Sequence, residues 1–175
     1  IRDRGYCSRD NIEYLDACGY SFIMMVKGCK ALVDTVIEEK RHTFESTRKA
    51  KIGPTGVYGV TVEKHLFSGD KHKRYFHLYF SPSKMAAERD RVEKKIAGMA
   101  ATLKSLEGQK VELPKEYLNY FHCHFMKGKT KDEAKTFLYA EEKESVVQRE
   151  LDLCGYFAII TSETMSAEQV YILYK

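Results

Sequence analysis

The chain has 175 residues, 43% of them hydrophobic and 31% charged, which is the composition of an ordinary folded protein and excludes a disordered or fibrous one. Its best apolar run, Phe22–Val26, has five residues, against the roughly 20 that a membrane-spanning helix needs. The net charge of +4 is modest but uneven: residues 40–75 carry nine Lys/Arg against three acids, and residues 132–152 carry seven acids against three bases. A basic middle of this kind fits contact with a polyanion, and equally fits the solvated face of a hairpin.

The opening Ile1–Arg4 is not followed by an apolar stretch, so no signal peptide is expected there, and a start without Met on a charged motif is expected of a trimmed piece. Cysteines occur at positions 7, 18, 29, 123 and 154 without a C-x-x-C pair. That pattern predicts free thiols in a reducing compartment. His122-Cys123-His124 is the only local cluster of metal-ligand type. Without a second ligand pair at zinc-site spacing, it reads as ordinary side chains on a partly buried segment.

In chain order, Ile1–Asp3 reads as the end of a strand and Gly5 as a sharp turn. Ser8 stands where an N-cap belongs, with Asp10 in the first turn and Cys7 and Ile12 spaced as a hydrophobic staple. Ile12, Leu15 and Cys18 form one apolar stripe, and Gly19 provides a left-handed stop. Tyr20–Val26 is a continuous apolar run suited to a strand buried on both faces.

A short helix is predicted over Ala31–Glu39, and a turn at Gly53–Gly56. A hairpin follows, Val57–Phe67 and Lys73–Ser81 about a Ser68-Gly69-Asp70 loop. Ser83 is expected to cap a long helix with a stripe of Met85, Val92, Ile96, Met99, Leu103 and Leu106. Pro114–Lys135 is ambiguous between helix and loop. A strand is possible at Thr136–Tyr139 and a short helix at Glu144–Leu153. The end returns to the texture of the beginning: Gly155–Thr161 is a second buried-strand run. A helix start follows, with Ser166 as N-cap, Gln169 completing a capping box, and Met165 placed against Val170.

Asp3-Arg4-Gly5-Tyr6, a Ser-capped helix and then Gly19-Tyr20-Ser21-Phe22-Ile23 resemble the second-aspartate region of insertion-sequence DDE transposases. Gly155–Thr161 and a capped helix reaching Tyr174 resemble the approach to that family's Tyr-x-x-Arg-x-x-x-Glu-x6-Lys signature. The resemblance covers about residues 1–28 and 152–175, and the middle matches only in carrying a β-containing insertion. It implies an α/β fold: a partial ribonuclease H-like core over 1–28 and 152–175, interrupted at 29–151 by an α+β insertion with a β-hairpin and a long helix.

The resemblance also implies a piece of a longer enzyme that cleaves and joins double-stranded DNA at transposon ends, in the bacterial cytoplasm near the nucleoid. Asp3 would be a catalytic, metal-binding carboxylate and Tyr174 the signature tyrosine; the signature arginine and third acid would fall two and six residues past Lys175. Two Mg²⁺ (or Mn²⁺) ions would serve the full-length enzyme. These residues alone, with one acid of three, would bind no metal tightly and cut no DNA. Self-association is expected, to cover the apolar face of an incomplete sheet.

Lys40, Arg41, Arg48, Lys49 and Lys51, together with Lys71, Lys73 and Arg74 at the hairpin loop, are the candidates for phosphate contact. Arg4 would pair with a phosphate or with a neighbouring acid. Tyr75 and Tyr79 share one side of their strand, to stack on bases or to cover a sheet. Other readings are a non-catalytic nucleic-acid-binding α/β domain derived from a transposase, and a metal-dependent nuclease of the same superfamily. No dinucleotide or P-loop glycine pattern is present.

Overall fold

The computed structural model describes residues 2–3, 7–26, 30–70, 72–126 and 135–175, residues 2 and 3 by their backbone. The chain divides into two compact units, 1–85 with 155–175 and 86–154. Both helix and strand are present in each.

In the first unit, β1 (Arg2–Asp3) leads through α1 (Arg9–Ala17) to β2 (Ile23–Met25), and β1 and β2 pair in parallel. α1 begins where its local chemistry dictates. The Ser8 hydroxyl accepts from the Asn11 N–H at 3.3 Å, Cys7 and Ile12 are buried on either side of the cap, and Gly19 closes the helix at φ 67°. α2 (Lys30–Lys40) follows, then a 3₁₀ turn at Arg48–Ala50, β3 (Lys51–Ile52), β4 (Val57–Lys64) and β5 (Arg74–Phe80). After the second unit the chain returns as β8 (Tyr156–Thr161) and α6 (Ala167–Tyr174). The sheet order is β1-β2-β8-β5-β4-β3, antiparallel from β2 onward.

Both faces of this sheet are covered at its centre. Phe76 and Leu78 of β5 pair with Ile160 and Ala158 of β8, and Met24 of β2 pairs with Ile160. All five side chains are buried, and α2 packs against β8. On the opposite face Tyr79, Ile159, Ile52 and Val57 form one cluster with Val170 and Tyr171 of α6. Gly59 of β4 is part of that contact: an added Cβ would stand 2.9 Å from Ile52 Cδ1 and Tyr79 Cδ1 and 3.0 Å from Ala167 Cβ. Only a glycine lets the start of α6 come so close to the strand.

In the second unit, α3 (Pro82–Ser105), whose first turn belongs to the first unit, runs on to α4 (Lys115–Tyr120), the hairpin β6 (Phe121–Phe125) and β7 (Phe137–Glu142), and α5 (Glu144–Asp152). Its core is Ile96, Met99, Leu103, Phe121, Phe137, Val147 and Leu151. No helix among the described residues is long and apolar enough to cross a membrane.

Four expectations change. The hairpin expected in a lobe over 29–151 lies in the core sheet instead, because β5 pairs along its whole length with β8, and the inserted unit is 86–154 with a hairpin of its own. The α3 cap is Ser81 and not Ser83. The Ser81 hydroxyl accepts from the Lys84 N–H at 3.3 Å and its carbonyl accepts from the Met85 N–H at 2.8 Å. Pro82 thus takes the first helical position, where its missing N–H costs nothing. β7 runs past Tyr139 to Glu142, and β6 occupies part of the ambiguous stretch, because each strand supplies the other's hydrogen bonds.

Candidate functional site

Asp3 ends β1, an edge strand, in register with Met24 of β2, which is itself in register with Ile160 of β8. The two blocks expected to flank an insertion therefore lie in one sheet, β2 directly beside β8. The ladder continues past β2 at both ends: the Val26 N–H donates to the Ala158 carbonyl at 3.0 Å, and the Ser162 N–H to the Phe22 carbonyl at 3.2 Å. The Asp3 side chain, Arg4 and Lys71 lie outside the described residues.

α6 reaches the sheet through its cap. The Ser166 hydroxyl accepts from the Gln169 N–H at 3.2 Å, and the Gln169 side chain accepts from the Ser166 N–H at 2.9 Å. The Tyr79 hydroxyl donates to the Ala167 carbonyl at 2.8 Å, and burial pushes this phenol well above its ordinary range. Tyr171 lies 5.4 Å from the Tyr79 ring, and Tyr174 packs at the edge of the same cluster. Of the two tyrosines on this side of β5, Tyr79 covers the sheet beneath α6 and is closed to solvent, while Tyr75 is half-buried.

The candidate DNA-contacting cations fall into separate groups. Lys51 pairs in register with Tyr58 at one end of β4, and Arg74 pairs with Lys64 at the other. Six residue steps, about 20 Å of strand, separate the two ends. Arg48, Lys49 and Lys51 are exposed, and Lys73 is exposed at the hairpin loop. Lys40 and Arg41, at the end of α2, are half-buried.

Arg74 is not a surface cation. It is 8% exposed, salt-bridged to Asp16 of α1, with its guanidinium 5.5 Å from the centre of the Phe22 ring. Its charge is neutralised inside the fold, which removes it from the phosphate contacts expected of it. It lines a cavity of about 280 Å³ with Arg9, Asp16 and Asp70, where cations and carboxylates are mixed and no single sign dominates.

The sequence did not single out a buried polar row in the same sheet. His77, with no solvent exposure, lies between Thr61 at 2.9 Å from Nδ1 and Thr161 at 3.0 Å from Nε2. The Thr161 hydroxyl donates to the Glu163 carbonyl at 2.7 Å, so it accepts from Nε2–H, and Thr61 donates to Nδ1. Burial lowers the His77 pKa to about 4 and keeps the ring neutral. The alternation of β5 placed His77 on the Tyr75/Tyr79 side, but its partners come from two other strands.

In the second unit, His122 and His124 of β6 are in register with Glu141 and Tyr139 of β7. His124 stacks on Tyr139 at 4.4 Å and reaches Glu141 at 3.3 Å. Among the described residues no group of three His, Cys, Asp or Glu stands close enough to hold a metal ion. Asp3 supplies one carboxylate position, at the end of an edge strand.

Comparison with protein-family models, curated proteins and solved structures gives no match.

Proposed function

We propose that the chain forms part of the catalytic domain of a DDE-type DNA transposase, with β1, β2 and β8 belonging to a ribonuclease H-like core and Asp3 serving as one of its metal-binding carboxylates. The observation that carries this reading is the meeting of the two motif-bearing blocks. The strand ending at Asp3 pairs with β2, β2 pairs with β8, and the capped helix after β8 packs back on the same sheet. Asp3 stands at the C-terminal end of a strand in parallel pairing, the end at which open α/β sheets bind ligands. The unit at 86–154 enters between the blocks, as the β-containing insertion of that family does.

On this reading the remaining acids lie outside these 175 residues, and the protein acts on transposon-end DNA in the bacterial cytoplasm. Mg²⁺ or Mn²⁺, when bound by all three acids, would activate the nucleophile and stabilise the leaving oxygen at phosphorus. This chain contributes one carboxylate position on a paired strand, a helix anchored to the same sheet, and exposed cations to hold the phosphodiester backbone.

The test is Asp3→Asn in a polypeptide carrying all three acids. Cleavage of end-labelled transposon DNA should fall to background while duplex binding persists. Unchanged cleavage would remove Asp3 from the active site. Binding without cleavage by the unsubstituted polypeptide would favour a nucleic-acid-binding domain that has lost its chemistry.

A further inference from the structure

A groove of about 470 Å³ runs along the first unit between the 3₁₀ turn, the edge strand β3 and the first turn of α6; its lining includes Thr47, Lys49, Lys51, Gly59, Thr61 and Glu168. Gly59 forms part of its floor, and the close approach it permits holds β3 and α6 against β4. Lys49, Lys51 and the adjacent Arg48 are exposed and have no carboxylate partner among the described residues. Three other cations of the unit are paired: Arg9 with Glu13, Lys64 with Glu39, Arg74 with Asp16.

A lysine on an edge strand also discourages edge-to-edge pairing, which would account for Lys51 alone. It does not account for three unpaired cations within four residues beside a groove.

Of three hydroxyls around the groove, two already bond within the fold and the third accepts a bond. Thr47 donates to the Phe44 carbonyl, Thr61 bonds His77, and Ser166 accepts from Gln169. The one free hydroxyl proton among these, on Ser166, makes no cage for a small anion, and Glu168, which also lines the groove, would repel one. What remains is a short cationic rim beside an open groove, which favours an extended polyanion that meets several charges at once.

We propose that this groove seats backbone phosphates of duplex DNA, with Lys49 and Lys51 neutralising them and Glu168 weakening the grip. The inference deepens the reading of the protein as a DNA-acting enzyme and rests on it for the choice of polyanion. It does not depend on Asp3 or on any metal.

The experiment measures binding of a fluorescent 30-base-pair duplex by anisotropy, without divalent metal, across a series of NaCl concentrations. The double variant Lys49→Gln/Lys51→Gln should flatten the plot of log affinity against log salt by about 2, roughly one unit for each phosphate that is no longer neutralised. Glu168→Gln should tighten binding at every salt concentration. Lys94→Gln/Lys104→Gln makes the same net charge change on α3, where both lysines pair within their own stretch of chain, and should leave the slope as it is. All substituted positions are exposed, and circular dichroism would verify that each variant folds. A double variant with the wild-type slope, or a control that flattens it equally, overturns the proposal. So does loss of the difference between wild type and double variant when inorganic phosphate replaces part of the salt at constant ionic strength, which would assign the groove to a small anion. A positive result here with Asp3→Asn still cleaving would leave the groove standing and sink the catalytic reading alone.

Discussion

His77 is closed to solvent, and both its ring nitrogens are satisfied, by Thr61 and Thr161. A proton added to this ring must be accommodated inside the sheet, which is why its pKa lies near 4. The unfolded chain takes up that proton near pH 6.5, so between those values the unfolded state binds more protons than the folded one. Stability is therefore fully present above pH 6.5 and is lost as pH falls toward 4. The contribution at stake by pH 4.5 is about 2–3 kcal/mol. Urea unfolding at pH 7.5 and 4.5 should show this loss, and His77→Gln should shrink it; an equal pH dependence in the variant would show that other groups carry it. Arg74 belongs at the same scale. Arg74→Ala strands Asp16 and removes the cover from Phe22, so it should destabilise the fold by about 2 kcal/mol, short of the full cost of breaking a buried pair because Asp16 is partly exposed. Weakened DNA binding in a fully stable Arg74→Ala protein would contradict this internal role.

At the scale of elements, helix starts were the most legible feature. Ser8 and Ser166 cap as their spacing requires, because a cap is satisfied by atoms within three residues of it. Ser166→Ala should cost about 1 kcal/mol in urea unfolding, and a smaller loss on Gln169→Ala would separate the two halves of the box. The cap of α3 lies two residues before the Ser83 expected from the sequence, because Ser81 and Ser83 both flank Pro82, and the two hydroxyls lie 3.1 Å apart. Phe121–Phe125 could not be read as a strand from its own residues. It follows α4 without a break, and its strand character comes from pairing with β7. Gly155, at φ 89° with an added Cβ only 2.6 Å from Met85 Cβ, is required by both backbone and space. Gly155→Ala should lower stability by about 2 kcal/mol or more.

For the whole molecule, the point where the second unit enters is informative. Phe80 and Tyr156 are register partners, and the Ser81 N–H donates to the Gly155 carbonyl at 3.0 Å. β5 and β8 thus form a hairpin whose turn has been replaced by the inserted unit, with its two ends one hydrogen bond apart. Replacing residues 83–153 with a short glycine-containing turn should leave the first unit folded, visible as dispersed amide resonances and a cooperative melt. Loss of cooperative folding in that deletion would show that the first unit depends on the second. The same pairing explains why the insertion boundary could not be read in the sequence. Val57–Ser81 is a complete hairpin by its own alternation, and nothing local reveals that β5 has a second partner on its other side.

The sequence by itself determined what short-range chemistry decides. That includes the caps of α1 and α6, the stop at Gly19, the β4–β5 alternation, and the burial of the run that became β8; the run Tyr20–Val26, expected to be a strand buried on both faces, is a strand only over Ile23–Met25, with Tyr20 57% exposed. Each depends on residues within a turn or two, or on a periodicity that one strand carries alone. The tertiary structure alone decided which strands are neighbours, that Arg74 is consumed by Asp16, that His77 sits between two threonines, and that Lys49 and Lys51 share a groove with Glu168. Those outcomes depend on pairs distant in the chain, such as Arg74 and Asp16 or Lys51 and Glu168, brought together by sheet register and helix packing. A linear pattern shows that a residue is charged or apolar, but the cost or gain of that character is set by the partner the fold places opposite it.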